Sequence, residues 1–210
     1  DVDVLLEDLF EHLPQFLEEF KRYQKEHGIK YQAIHSHYWM SGWIGQEMAN
    51  VLNIPHLVTF HTLARIKMQS RPGERESLKR QDTEKDIMRN ADKVIAFSSH
   101  ERDAMIRLYD APSERIDLVP CGVDSSRFKP LDQFQARQHL GINGEKVFLY
   151  VGRIESLKGV DLLLETAAHL DVSQNVRVLV VGGDDDRGHE VLRLKQRAKE
   201  LDIDGIVEFV

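Results

Sequence analysis

The sequence predicts an α/β protein made of two Rossmann-like units, each a parallel β-sheet with crossover helices. Two observations carry this prediction. Short apolar runs rich in Val, Ile and Leu alternate with longer segments whose apolar residues recur at helical spacing. Such runs are typical of parallel strands that are buried on both faces. The alternation is interrupted once, between residues 126 and 145, and then restarts.

The first predicted unit covers residues 1–125. Gly28 is suited to end its first helix, Ser41 to begin its second and Ser98 to begin its last. Its helices are predicted at 13–27, 41–53, 74–90 and 98–109, and its strands at 31–37, 56–61, 93–99 and 116–120.

Residues 126–145 are predicted to form the junction between the units, because they mix periodicities and contain Pro130, Gly141 and Gly144. The second unit, 146–210, has predicted strands at 147–152, 176–183 and 206–210 and helices at 160–170 and 189–201. The chain begins at Asp1 and ends within an apolar run, so we expect a fragment whose two units are both truncated by the chain ends.

The amino-acid composition limits the kinds of partner that the chain is expected to bind. The 210 residues are 41% hydrophobic and 30% charged, which allows a sizeable core, and the net charge is −7. A chain without an overall positive charge is not expected to bind nucleic acid, so any anion site must be local. The single cysteine, Cys121, is consistent with a reducing compartment, and we expect a cytoplasmic protein.

No membrane-spanning segment is expected, because the longest apolar runs have five or six residues and a bilayer requires about 20. Peripheral membrane contact and the oligomeric state are left open by the sequence. The patterns GxSxG, GxGxxG, HExxH and the P-loop are absent, which removes several classes of enzyme.

The stretch YVGRIESLKGV, residues 150–160, places two cations between a strand and a helix. Gly152 allows a tight turn, the Arg153 guanidinium matches phosphate oxygens, and Lys158 adds a second charge. The following helix would direct free N–H groups to the same space, so a diphosphate is the expected ligand. The alternative is a pair of solvated charges, one of them paired with Glu155.

A second strand end, VVGGDDDRG at 180–188, offers Gly182 and Gly183 for close approach of the backbone to a ligand. The aspartates 184–186 could bind a divalent metal. A solvated loop is the favoured interpretation, because three consecutive carboxylates do not share one face.

Polar residues also gather at the predicted strand ends of the first unit. His35, His37 and His61 raise the alternative of a zinc site, although no carboxylate or cysteine lies at ligand spacing. A polar active-site rim that includes Tyr38 and Ser41 is favoured, and no metal is expected. Arg80 and Glu84, at i and i+4, are compatible with a simple surface pair.

Five stretches in this order resemble the family 4 retaining glycosyltransferases of the GT-B fold. They are IHSHYWMSGWIG, LVTFHTLARIK, ADKVIAFSSHERDAMIRLY, IDLVPCGVDSSRFKP and VFLYVGRIESLKGVDLLLETAAHL. The pair HSHYW and FHTLARIK is most similar to the branch of sucrose-phosphate synthase and D-inositol-3-phosphate glycosyltransferase.

This resemblance implies roles for individual residues. Arg153 and Lys158 would hold the donor diphosphate and stabilise the leaving nucleoside diphosphate in place of a metal, with Gly152, Gly182 and Gly183 beside them. His61 would lie near the donor sugar, as a catalytic residue together with the two cations. Tyr38, Thr62 and Arg80 would contact an acceptor phosphate.

The substrates implied are a nucleotide-diphosphate sugar and a hydroxyl-bearing acceptor such as a sugar or sugar phosphate, with no other cofactor. UDP is the expected nucleotide, with GDP and ADP left open. The family's N-terminal Gly-rich loop and its Glu-x7-Glu element are not found, and Leu6 stands where a basic acceptor residue is expected. A sugar-nucleotide 2-epimerase and a non-catalytic nucleotide-sugar-binding fragment are the alternatives.

Overall fold

The computed structural model describes residues 8–70, 73, 75–155, 158–170, 175–183 and 188–210. Leu6 and the aspartates 184–186 lie outside these residues. The chain divides into two compact units, Asp1–Asp124 and Ser125–Val210.

The first unit is a four-stranded parallel sheet in the order β1-β2-β3-β4. A short 3-10 helix, Asp8–His12, precedes it. Its strands are β1 (Ile34–His37), β2 (His56–Thr59), β3 (Lys93–Ala96) and β4 (Ile116–Leu118), and its helices are α1 (Leu13–Glu26), α2 (Trp39–Leu52), α3 (Ala64–Ser70), α4 (Leu78–Asn90) and α5 (Ser99–Tyr109). A second 3-10 turn, Ser113–Arg115, leads into β4.

The largest apolar cluster of this unit packs helices on the sheet. Val58 and Val94 are fully buried at the centre of the sheet, and Trp39, Ile87 and Met105 from three helices pack in the same cluster. Gly42 of α2 faces Ile87 so closely that a Cβ atom would lie 2.9 Å from its side chain. The core therefore holds α2 and α4 close to the sheet and to each other.

The second unit is a three-stranded parallel sheet in the order β5-β6-β7. It comprises α6 (Gln133–His139), β5 (Lys146–Val151), α7 (Val160–Ala168), β6 (Val176–Val181), α8 (His189–Glu200) and β7 (Val207–Phe209). Val178 and Val180 are fully buried against Leu164 and Leu194 from α7 and α8.

Several predicted element limits are wrong. Helix α2 begins at Trp39, so its N-cap is Tyr38 rather than a residue near Ser41, and α4 begins at Leu78 after the capping Ser77 rather than at residue 74. Helix α3 lies between the strand predicted at 56–61 and the helix predicted at 74–90, where no element was predicted. Helix α6, capped by Asp132, lies in the segment for which a junction was predicted.

Two strands are not buried on both faces as the sequence predicted. His35 and His37 of β1 are exposed, and Leu149 and Val151 of β5 have 63% and 69% of their surfaces exposed. Apolar composition alone does not reveal whether a second layer covers a strand.

Among the described residues, no helix combines the length and the apolar composition that crossing a bilayer requires.

Candidate functional site

The carboxyl edge of the first sheet gathers most of the polar residues predicted for a site. In the strand register His37 lies opposite Thr59, and Thr59 lies opposite Ile95. The residues that follow β1 and β2 therefore leave the sheet side by side, as expected at the ligand-binding edge of an open α/β sheet.

Tyr38 turns the chain from β1 into α2 with φ 77° and ψ 159°, a region that residues other than glycine rarely occupy. Two backbone hydrogen bonds hold it there. Its N–H donates to the Thr59 carbonyl at 2.8 Å, and its carbonyl accepts from the Gly42 N–H at 2.8 Å. This conformation costs about 1–3 kcal/mol, which the hydrogen bonds and the packing of α2 offset.

The structure brings together Tyr38, Thr62 and Arg80, the three residues assigned to the acceptor. Nη2 of Arg80 donates to the Thr62 carbonyl at 3.2 Å and to Thr62 Oγ1 at 3.1 Å. The guanidinium carbon lies 5.2 Å from the centre of the Tyr38 ring. Tyr38 follows β1, Thr62 follows β2 and Arg80 lies in α4, so only the fold places them in contact.

Arg80 and Glu84 are not a surface pair, since only 4% of Arg80 and none of Glu84 is exposed. Nε of Arg80 donates to Glu84 Oε1 at 2.8 Å. Burial alone disfavours the charged guanidinium, but the hydrogen bond and the charge of Glu84, with Tyr38 and Glu76, outweigh it and raise the pKa of Arg80. Arg80 is therefore a fixed positive charge beneath the site.

Sequence reasoning missed Glu76, whose carboxylate joins two cations of this site. Oε2 lies 2.8 Å from Nη1 of Arg80, and Oε1 lies 2.5 Å from Nζ of Lys67. The Glu76 side chain is only 10% exposed. One signal was available, because Glu76 precedes Arg80 by four residues, the spacing at which Glu84 follows it.

His61 follows β2 in a left-handed conformation with φ 62°. Its Nε2 lies 2.8 Å from Nδ1 of His37, and the two rings stack with their centres 5.1 Å apart. A hydrogen bond between two imidazoles needs one N–H and one lone pair, so each ring fixes the tautomer of the other. His37 therefore orients the ring of His61.

His35 completes the row of histidines, with Nε2 2.9 Å from Thr59 Oγ1 and its ring 4.4 Å from that of His37. Partial burial of the ring lowers the pKa of His35, and the neighbouring His37 and His61 lower it further. No group of three or more His, Cys, Asp or Glu side chains that could hold a metal ion is found in the part of the chain that the structure describes.

The carboxyl end of β5 carries the residues predicted to bind a diphosphate. After β5 ends at Val151, Ile154 is buried in the core, whereas Arg153 is exposed over 64% of its side chain. Lys158, half exposed, comes two residues before α7. Nη2 of Arg153 and Nζ of Lys158 lie 3.6 and 3.7 Å from the same Glu155 carboxylate oxygen, so the two cations share one region of space.

Gly182 has a structural role that the sequence did not indicate. Its φ is 146°, and a Cβ atom there would lie 1.9 Å from the carbonyl oxygen of Gly152. Its small size is therefore required by the neighbouring turn. Gly183 accepts the Ile154 N–H at 2.7 Å, and a Cβ atom there would have no neighbour within 4 Å among the described residues.

Comparison with known proteins places the chain in a family. The family described as Glycosyltransferase Family 4 matches residues 2–127, which is more than half of the chain. The chain belongs to glycosyltransferase family 4. A second description, Glycosyl transferases group 1, matches residues 132–210 of this family 4 chain.

Named relatives of the family 4 chain agree with this membership. It is 38% identical over 187 residues to a D-inositol 3-phosphate glycosyltransferase of Nocardia farcinica, an alignment that covers 86% of this chain and 42% of the relative. The family 4 chain spans about half the length of the curated relatives it matches.

Solved structures show the same architecture. The sucrose-phosphate synthase of Thermosynechococcus elongatus matches with a TM-score of 0.80 and 33% identity, over 99% of this chain and 51% of that one. Anabaena HepE in complex with UDP matches with a TM-score of 0.74 and 19% identity, over 92% of this chain and 50% of that one. The two Rossmann-like parallel sheets predicted for a GT-B protein are thus confirmed for this family 4 chain.

Proposed function

We propose that the protein carrying this chain is a retaining glycosyltransferase that moves a sugar from a nucleotide-diphosphate sugar to an acceptor hydroxyl. Residues 146–210 would belong to the donor-binding domain and residues 1–125 to the acceptor-binding domain, with a junction at 126–145. The observation that carries the proposal is the pair Arg153 and Lys158, exposed beside the carboxyl end of β5 and the start of α7.

Arg153 and Lys158 would bind the donor diphosphate. The guanidinium can donate to two phosphate oxygens at once, the ammonium adds a compact charge, and the first N–H groups of α7 point toward the same end of the sheet. As the bond to the sugar breaks, negative charge grows on the diphosphate and these donors stabilise it. This charge stabilisation requires no metal, and we propose no other cofactor.

The acceptor would bind at Tyr38, Thr62 and Arg80, with His61 near the transferred sugar. The acceptor oxygen attacks the anomeric carbon on the face from which the diphosphate departs, without a covalent enzyme intermediate. The new glycosidic bond forms as the bond to the diphosphate breaks, and the hydroxyl proton passes to a diphosphate oxygen. The anomeric configuration is then retained.

The names of relatives support more specific substrates. We propose UDP as the nucleotide, because HepE, which shares the fold, was solved with UDP and with UDP-glucose. We propose a phosphorylated sugar or polyol as the acceptor, because relatives near 38% identity are named for inositol 3-phosphate.

Substitution of the two cations tests the proposal. Arg153→Ala and Lys158→Ala should each lower kcat for transfer by about 100-fold or more, because each removes a donor to the developing charge. Both side chains are about half exposed or more, so the fold should survive. Arg197→Ala, on the exposed surface of α8 in the same unit, is the matched control and should keep wild-type turnover.

Unchanged turnover in either variant would contradict the assignment of the diphosphate. Titration calorimetry with UDP and UDP-sugars, run beside product analysis with and without acceptor, separates the alternatives. Binding without any turnover would identify a nucleotide-sugar-binding module. An altered nucleotide sugar formed without acceptor would identify an epimerase.

A further inference from the structure

Glu76 stands between Arg80 of the proposed acceptor site and Lys67 of α3, in the way that a bound anion would. Each of its carboxylate oxygens contacts a different cation, Lys67 at 2.5 Å and Arg80 at 2.8 Å. The Arg80 side chain is 5% exposed, that of Glu76 is 10% exposed and that of Lys67 is 30% exposed. The cluster is therefore partly accessible to solvent at Lys67 and buried at Arg80.

The second carboxylate beside Arg80 has a different role. Glu84 accepts the backbone N–H of Ala64 at 3.0 Å and the hydroxyl of Tyr109 at 2.6 Å, in addition to Nε of Arg80. These contacts fix Glu84 to the start of α3 and the end of α5. Glu76 precedes the N-cap Ser77, its carbonyl accepts a hydrogen bond from Nε2 of Gln81 at 3.1 Å, and its carboxylate contacts Lys67 and Arg80.

Among the described residues of this cluster, Arg80 contacts the carboxylates of both Glu76 and Glu84, and Lys67 contacts that of Glu76. A phosphate that approached Arg80 would meet the Glu76 carboxylate at the position its own oxygens need. Two anions at one position repel each other, and the repulsion is strong where water is partly excluded. Phosphate can therefore occupy this position only by displacing Glu76.

We propose that Glu76 is an internal counter-ion of the acceptor site, which competes with an acceptor phosphate for Arg80 and Lys67 and so sets how strongly phosphorylated acceptors are preferred. This proposal rests on the assignment of Arg80 and Thr62 to the acceptor under the proposed function. Glu76 would then act as a specificity determinant. It weakens binding of the acceptor phosphate and does not change binding of the acceptor's hydroxyl groups.

The test measures binding of inorganic phosphate at constant ionic strength, by calorimetry or NMR titration. Glu76→Gln keeps the shape of the side chain and removes its charge, so phosphate should bind at least tenfold more tightly, which is about 1.4 kcal/mol. Glu26→Gln is the control. It removes the same charge from an exposed position on α1, where Glu26 lies 4.0 Å from Arg22, and should leave phosphate affinity unchanged.

A second variant locates the phosphate. Adding Lys67→Met to Glu76→Gln should abolish the gain in affinity, because one of the two cations is then missing. A gain that persists in the double variant would show that phosphate binds elsewhere and would overturn the proposal.

Unchanged or weaker phosphate binding by folded Glu76→Gln would also overturn it, since a carboxylate that merely orients Arg80 predicts a loss. If Glu76→Gln does not fold, Glu76→Ala is measured in its place. Failure of both variants to fold would show that the fold requires this carboxylate, and would overturn the proposal that phosphate displaces it. No sugar transfer is measured here, so this outcome is independent of the Arg153 and Lys158 variants that test the proposed function.

Discussion

His56 is a buried histidine, 3% exposed, that the sequence did not single out. Its Nε2 lies 2.7 Å from Ser36 Oγ, and that hydroxyl donates to the Leu57 carbonyl at 3.4 Å. The other ring nitrogen, Nδ1, has no hydrogen-bond partner among the described residues. Burial lowers the pKa of His56 from its ordinary value of 6.5 to about 4, and this outweighs the opposing charge of Asp92.

We expect the first unit to lose stability as the pH falls from 6.5 to about 4. In that window the unfolded chain binds a proton at His56 and the folded chain does not. The free energy of unfolding therefore falls by about 3 kcal/mol between pH 6.5 and about 4. Above pH 6.5 it keeps its full value. The lowered pKa of His35 acts in the same direction.

Urea unfolding followed by tryptophan fluorescence measures this effect. The chain's two tryptophans, Trp39 and Trp43, both lie in the first unit, so the signal reports that unit. His56→Gln should reduce the pH dependence, whereas substitution of the exposed His100, on α5 of the same unit, should not. An equal pH dependence in wild type and His56→Gln would contradict the role assigned to burial.

Single residues of the site were predictable where a motif carries them. Tyr38, Thr62 and Arg80 were named from the resemblance, and the structure places them in contact; their role in binding an acceptor stays a prediction. The burial of Arg80 was not predictable, because it depends on side chains far away in sequence. The contact of Glu76 with Lys67 likewise depends on the path of the chain between two helices.

At the scale of elements, three helices meet at the Glu84 carboxylate. It receives hydrogen bonds from the backbone at the start of α3, from Arg80 of α4 and from Tyr109 at the end of α5. The Tyr109 hydroxyl also accepts the Arg65 N–H at 2.8 Å. These helices are therefore tied together by polar contacts beneath the candidate acceptor site.

Tyr109→Phe should destabilise the first unit by about 1–3 kcal/mol. The ring still fills the core, but the Arg65 N–H loses its acceptor and Glu84 loses a donor in a buried environment. Tyr23→Phe, on an exposed part of α1, provides the control and should change stability by less than about 0.5 kcal/mol. A similarly small change for Tyr109→Phe would show that water replaces the lost hydroxyl.

The type and order of the long elements were predictable, because helical and strand periodicities differ. The residues at which these elements begin and end were less predictable. The strand predicted at 56–61 stops at Thr59, since His61 takes a left-handed conformation that no strand accommodates. Helices α3 and α6 have only seven residues each, too few for periodicity to separate them from loops.

At the scale of the whole molecule, the two compact units are joined by an exposed stretch. Every residue from 117 to 135 is exposed, and the division between units falls at Asp124. Exposed, irregular backbone is the preferred target of proteases.

Limited digestion with trypsin should therefore cut after Arg127 and release fragments of residues 1–127 and 128–210. Arg127 precedes Phe128, whereas Lys129 precedes Pro130, a bond that trypsin does not cleave. Mass spectrometry of early time points would identify the fragments. Arg127→Gln should delay their formation, and degradation of both units before any cut at Arg127 would contradict this expectation.

The contact between Gly182 and Gly152 affects how a mutational scan of this protein would be interpreted. A larger residue at position 182 would push away the turn that carries Arg153, because its Cβ atom would lie 1.9 Å from the Gly152 carbonyl oxygen. An activity screen would then group Gly182 with the residues proposed to bind the donor, although its substitution acts on the backbone. Scored by the abundance of folded protein instead, Gly182 should group with the core positions, and Arg153 should separate from it.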